Sequence, residues 1–238
     1  MAGDFYFATM SLAQRINDFN DQLSLKKKLP KGIRVMNPFK DEGHERVNAY
    51  CKQFYKKYYN DDEPRELILG INPGRHGAGL TGIPFTDAKR LESHCGIDTK
   101  GLKSHEPSCV YVYEMIDAFG GPEAFYSKFF VNSICPLGFV ITNDKGREVN
   151  YNYYDLKELQ EAVTPFIKRS IKHMIALGMN TEKVYCWGTG KNFKFLKDLN
   201  AKQGYFGEII PLEHPRYIMQ YKSKHKDDYI AKYLDAFN

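Results

Sequence analysis

The sequence predicts an α/β protein built on a parallel sheet with helices on both faces. Two observations carry that reading. Four short apolar runs, at 66–71, 129–134, 183–187 and 206–212, alternate with stretches of helical period, as strands joined by helical crossovers do. Polar or small residues stand where these runs stop, namely Asn72, Asn132, Ser133, Gly188 and His214. Ligands of open parallel sheets bind beyond the carboxyl ends of the strands, so a site is expected along that edge.

The elements follow in order. Residues 11–25 place Leu12, Ile16, Phe19 and Leu23 on one helical face, and Ser11 with Gln14 has capping-box spacing. The KKK at 26–28 reads as a solvated connector. Residues 41–59 carry Val47, Tyr50, Phe54 and Tyr58 at helical spacing, which makes about 1–60 a helical extension of a single domain spanning 1–238. The strand at 66–71 runs into a loop rich in Gly and Pro, and a helix is expected to begin near Thr86. Further helices are expected at 111–119 and 122–128, then the strand FFVNSI. Residues 139–154 read as a Gly/Asn-rich excursion. A long helix at 155–177 precedes the strand KVYCW, a Gly-led helix at 190–203, the strand FGEIIPL, a loop and a last helix at 227–237.

Composition narrows the function classes. The formal charge of +5, with 17 Tyr and 16 Phe, is compatible with nucleic-acid binding. The five cysteines are dispersed and form no CxxC pair, which suits reduced thiols and argues against a disulfide framework, a zinc site or an iron–sulfur cluster. No apolar run approaches the length of a membrane span, and MAGDFYFATM lacks a leader pattern. The chain is expected to stay in the compartment where it is made, the cytoplasm of a bacterium; bound to DNA it would sit at the nucleoid, or in the nucleus of a eukaryote.

Three stretches invite chemistry. GINPG at 70–74 is either a tight turn or a loop that aims Asn72 into a cleft, with Gly74, Gly77 and Gly79 admitting a ligand to the backbone. EHPRY at 213–217 opens a segment holding Arg216, Lys222, Lys224 and Lys226 and no acid between His214 and Lys226. Such a segment is either a solvated face or a phosphate-neutralising loop. GTGK at 188–191 lacks P-loop spacing, and Asn192 follows the Lys where a P-loop has Ser or Thr. No Ser/His/Asp set, paired-carboxylate motif or HExxH is evident. An Asn and a His are a weak acid–base pair, suited to a reaction whose leaving group needs electrostatic help.

GINPGRHGAGLTGIPF resembles motif one of the single-strand-selective monofunctional uracil-DNA glycosylases, within the uracil-DNA glycosylase superfamily. MNPF at 36–39, FFVNSICPLGF at 129–139, VYCWGTGKNF at 184–193 and LEHPRY at 212–217 resemble further elements in the family's order. The resemblance implies a three-layer α/β/α sandwich with a four-stranded, mainly parallel sheet. It implies hydrolysis of the N-glycosidic bond of uracil in DNA by a monomer, with no cofactor and no metal. Asn72 would position the attacking water and His214 would donate to uracil O2 as charge builds there. Phe85 would stack on the flipped base, and Gly70, Ile71, Pro73, Gly74, His76 and Ala78 would shape its pocket. Arg216 and Tyr217 lie where the family's wedge loop begins, and Lys222 and Lys224 extend the basic tract that would meet DNA. No Lys stands in either motif as an amine nucleophile, so a lyase step is not suggested.

The sequence departs from the family at three points. The family's second-strand motif reads His-Asn-Leu-Cys-Pro, and its Asn aligns with Ser133, with Asn132 one place earlier; either could read the base. Ala78 stands where the family often has Met, with His76 two residues before, which leaves 5-substituted uracils open. Arg216 directly follows Pro215, which changes the wedge. A non-catalytic damaged-DNA or nucleic-acid binding module on the same fold is the alternative, and a nucleotide-binding enzyme using GTGK is a more distant one.

Overall fold

The structure, a computed structural model, describes residues 10–238. Residues 1–9, which hold most of the stretch examined for a leader, lie outside them. Helix α1 (Leu12–Gln22) opens on the expected capping box: the Ser11 hydroxyl accepts from the Gln14 N–H, and Gln14 Oε1 accepts from the Ser11 N–H at 2.9 Å. Its apolar stripe of Leu12, Ile16 and Phe19 is buried. After strand β1 (Ile33–Met36) comes α2 (His44–Tyr58), which packs on α1. The lysines at 26–28 between them are exposed.

Strand β2 (Arg65–Gly70) is followed by two short helices, α3 (Ala78–Thr81) and α4 (Ala88–Ser93). The second starts two residues later than expected because Asp87, at the N-cap, accepts from the Arg90 N–H at 2.9 Å. Helices α5 (Pro107–Phe119) and α6 (Pro122–Lys128) lead into β3 (Phe129–Ser133). The excursion at 139–154 is a β-hairpin of β4 (Gly138–Thr142) and β5 (Glu148–Tyr151), and β4 pairs with β1 to make a separate three-stranded antiparallel sheet. The long α7 (Lys157–Ala176), β6 (Met179–Trp187), α8 (Lys191–Gln203) and β7 (Glu208–Leu212) then follow as expected. The supposed loop after β7 is largely helical. It holds α9 (Pro215–Tyr221), with Pro at the first helical position, and a 3-10 turn before α10 (Lys226–Phe237).

The main sheet runs β3-β2-β6-β7, with every pairing parallel and helices flanking it. Leu67, Ile68, Leu69, Val184, Cys186 and Trp187 are wholly buried in its central strands, as a sheet covered on both faces requires. The chain passes from β2 outward to β3, then returns to place β6 on the other side of β2. The strand order therefore reverses between β2 and β6, and a crevice is expected beyond their carboxyl ends.

The C-terminal helix closes the core. Phe237 packs its ring 4.6 Å from that of Phe129 and 5.0 Å from that of Tyr185. Phe237→Ala is expected to lower stability by about 3–5 kcal/mol, the usual cost of emptying a buried aromatic site, measured by urea unfolding.

Candidate active site

A cleft of about 730 Å³ opens at that reversal point. Ile71, Asn72, Pro73, Gly74, Ala78 and Phe85 line it from the loop after β2, and Ser133 lines it from the end of β3. His214, Arg216 and Tyr217 line it from the far side, and Asn150, Asn152 and Tyr154 from the hairpin. Residues far apart in sequence meet here because each follows the carboxyl end of a strand or the hairpin packed beside it.

Asn72 is fixed by backbone at the end of β5 and just past it. Its Oδ1 accepts from the Tyr153 N–H at 3.1 Å, and its Nδ2 donates to the Tyr151 carbonyl at 3.3 Å. An N–H can only donate and a carbonyl can only accept, so the two bonds leave the amide one orientation. One lone pair of Oδ1 remains for a ligand or a water.

Phe85 is held in one place at the edge of the cleft. Its φ of 54° lies in the left-handed region, a conformation a bulky side chain adopts at a cost of order 1–3 kcal/mol when its surroundings impose it. Thr81 supplies part of that constraint, with its hydroxyl donating to the Thr86 carbonyl at 2.6 Å and accepting from the Ile83 N–H at 3.2 Å. The ring lies on Gly70, where an added methyl would fall 2.7 Å from two ring carbons. Trp187 meets it edge-on at 4.7 Å, and the His214 ring lies 5.6 Å away. Gly70 thus serves the site from beneath the aromatic ring.

His214 caps α9. Its Nδ1 accepts from the Arg216 N–H at 3.1 Å, so in the neutral ring the proton sits on Nε2. Burial and the nearby Arg216 charge hold its pKa down to about 4. At neutral pH the residue is therefore an uncharged N–H donor. The C-terminal helix steadies this segment, because the Tyr233 hydroxyl donates to the Glu213 carbonyl and Lys232 pairs with the Glu213 carboxylate at 2.9 Å.

Not every expected residue reaches the cleft. On β3 the side chains alternate: Ser133 faces the cleft, and Asn132 lines a small pocket with Asn20, Phe39 and Pro136. Asn132 Oδ1 is taken up by its neighbour's N–H at 2.7 Å. His76 is exposed and does not line the cleft. Lys222 and Lys224 are exposed beyond its rim, and Lys226 is bound to Glu114 at 2.7 Å, so the basic tract is shorter than its sequence. The loop glycines were expected to admit a ligand, yet a methyl on Gly77 would collide with Glu106 Oε2, and one on Gly74 would meet Glu106 Oε1 at 3.1 Å. These glycines make room for a carboxylate.

Glu106 is a cleft residue that no motif announced. Ser108 donates to its Oε1 at 3.0 Å, and its backbone N–H donates to the buried Asp87 at 2.8 Å. Burial pushes its pKa up, against the pull of the Ser108 hydrogen bond and the Arg216 charge. Tyr221 was also missed. It is 64% exposed, and its ring lies 5.4 Å from that of Tyr217 across one turn of α9, a pairing that the i, i+4 spacing signals once the segment is known to be helical. Among the described residues no three His, Cys, Asp or Glu side chains cluster so as to hold a metal ion. All five cysteines are buried, and burial raises each thiol pKa. No helix of the described residues is long and apolar enough to cross a membrane.

The family model for the uracil DNA glycosylase superfamily matches residues 56–238. The crystal structure of wild-type SMUG2 from Pedobacter heparinus superposes with a TM-score of 0.93 at 53% sequence identity, over 96% of this chain and 97% of that one. No curated protein matches the chain.

Gly70→Ala is expected to displace the Phe85 ring and slow turnover by about 10- to 100-fold, because small misplacements of a positioning group cost that much; single-turnover kinetics would read it. His214 also makes a pH prediction. The unfolded imidazole takes up a proton near pH 6.5 and the folded one only near 4. Its contribution to stability is therefore full above about pH 6.5 and is lost as the pH falls toward 4. Urea midpoints of the wild type should drop across that window by more than those of His214→Asn.

Proposed function

Because the chain belongs to the uracil DNA glycosylase superfamily, and is a DNA glycosylase and so a hydrolase of N-glycosyl bonds, we propose that it removes uracil from DNA at the cleft between Asn72 and His214. The observation that carries the assignment of roles is the state of His214. It is neutral, its Nδ1 is occupied, and its Nε2–H is left free to donate.

The proposed mechanism follows from these groups. A base inside a duplex is out of reach, so the target nucleotide is extruded at a cost of a few kcal/mol. Stacking on Phe85 returns about 1–3 kcal/mol of that. The C1′–N1 bond then breaks, with its electron pair passing to the base. His214 Nε2–H donates to O2 as negative charge gathers there, and an already neutral imidazole needs no proton transfer to do so. Asn72, clamped by the hairpin, uses its remaining Oδ1 lone pair to hold a water against C1′. Water oxygen bonds to C1′ and its proton leaves to solvent, giving an abasic site and free base. Ser133 is the cleft-facing candidate for reading the edge of the base, with Ile71, Pro73, Gly74 and Ala78 beside it. Arg216 and Tyr217 meet the DNA at the cleft and Lys222 and Lys224 beyond its rim, and the enzyme acts as a monomer. A purely binding role has less support, since Asn72, Phe85 and His214 line one cleft.

Incubation with a uracil-containing oligonucleotide followed by alkali is expected to cut the strand at uracil. No cutting on single- or double-stranded DNA would sink the proposal. Asn72→Ala and His214→Ala should each lose on the order of 10²–10³ in rate while binding DNA as before. Lys222→Ala with Lys224→Ala should weaken DNA binding without regard to sequence and flatten its salt dependence, by a slope of about 0.9 per lost duplex phosphate contact.

A further inference from the structure

The stretch GTGKN gained no phosphate-binding role, yet its last residue is 1% exposed and lines the cleft. Asn192 stands in the first turn of α8. Its Nδ2 donates to the Trp187 carbonyl at 3.1 Å and the Gly70 carbonyl at 3.4 Å, the last residues of β6 and β2. Its Oδ1 accepts from the hydroxyl of Tyr153 at 2.9 Å. Tyr153 is wholly buried, and its backbone N–H is the donor that holds Asn72 Oδ1 at 3.1 Å. Hydrogen bonds thus link the two strand ends to Asn192 and Asn192 to the Tyr153 hydroxyl, and the body of Tyr153 carries the connection to its own N–H and so to Asn72.

We propose that Asn192 and Tyr153 are positioning residues that set the place and orientation of the Asn72 amide. The inference rests on the reading of Asn72 as the group that orients water. The chemistry demands an amide at 192. The site has one hydroxyl to accept from and two carbonyls to donate to, all buried. An aliphatic side chain would take this partner from the Tyr153 hydroxyl and the Trp187 carbonyl and leave the Gly70 carbonyl with the Ile134 N–H alone, and a carboxylate would face two carbonyl oxygens. The phenol of Tyr153 in turn pins its own backbone, so the Tyr153 N–H arrives at a fixed point beside the cleft. Asn72 offers only a lone pair and an N–H, so its effect depends on where it points.

Tyr153→Phe removes one oxygen and keeps the ring. With enzyme in excess over a uracil-containing oligonucleotide, it is expected to slow the cleavage step about tenfold, with DNA affinity unchanged, since misplacing a positioning group acts on rate. Asn192→Ala should slow it further. In an Asn72→Ala background, Tyr153→Phe should add nothing, because its effect passes through the missing amide. An unchanged rate for Tyr153→Phe overturns the proposal, as does a loss of equal size in both backgrounds, which would mark a role in the fold alone. Should Asn192→Ala fail to fold, Tyr153→Phe still decides. Asn72→Ala by itself tests the underlying reading: near-normal cleavage by that variant defeats it, whatever Tyr153→Phe does.

Discussion

One buried amide holds the carboxyl ends of β2 and β6 at the point where the sheet reverses. Asn192 spans the Gly70 and Trp187 carbonyls, which lie at the strand ends. Everything the cleft uses is referred to that junction. Asn72 is two residues past Gly70, Phe85 lies on Gly70 and against Trp187, and the hairpin is tied to the same amide through Tyr153. Because the junction is buried and its hydrogen bonds are directional, the loops hung from it inherit a defined geometry although several are short of regular structure.

The cleft carries ionisable groups of both signs. Arg216 contributes positive charge beside His214 and helps to keep that ring neutral, and burial raises the Glu106 pKa although the same Arg216 charge pulls it down. A fixed positive charge near a neutral donor suits a leaving group that becomes an anion. Glu106 stands against the loop glycines, its carboxyl accepting from the Ser108 hydroxyl and its backbone N–H donating to the buried Asp87. The cleft therefore offers DNA a positive lip and a polar, weakly charged interior.

Much of this was legible in the sequence, and the limits have physical causes. The end of an apolar strand is a strong signal, so Asn72, His214 and the pair Asn132 and Ser133 were expected at strand ends from the sequence alone. Period-two alternation says that Asn132 and Ser133 face opposite ways, but not which one faces the cleft; that took the packing of β3 against β2. The antiparallel sheet was invisible because β1 finds its partner about a hundred residues later, Ile33 opposite Ile141, and a four-residue strand without a local partner leaves no trace in periodicity. Glu106 escaped because its importance comes from the space left by Gly77, a relation between two positions and not a motif. The run after His214 read as loop because Pro215 and the lysines resemble turn composition, whereas Pro at the first position of a helix is among its better starts.

The strained backbone of Phe85 has a consequence for how the enzyme selects its target. With the ring held by Gly70, Trp187 and the Thr81 hydrogen bonds, the Phe85 side chain has little conformational entropy left to lose on binding. On the proposed reading, in which the target base is extruded onto this ring, the cost of extrusion then falls mainly on the nucleic acid. A base held by a poor pair, or by none, would be captured ahead of one in a good pair. A rigid pocket would in this way turn the stability of the duplex itself into a measure of damage.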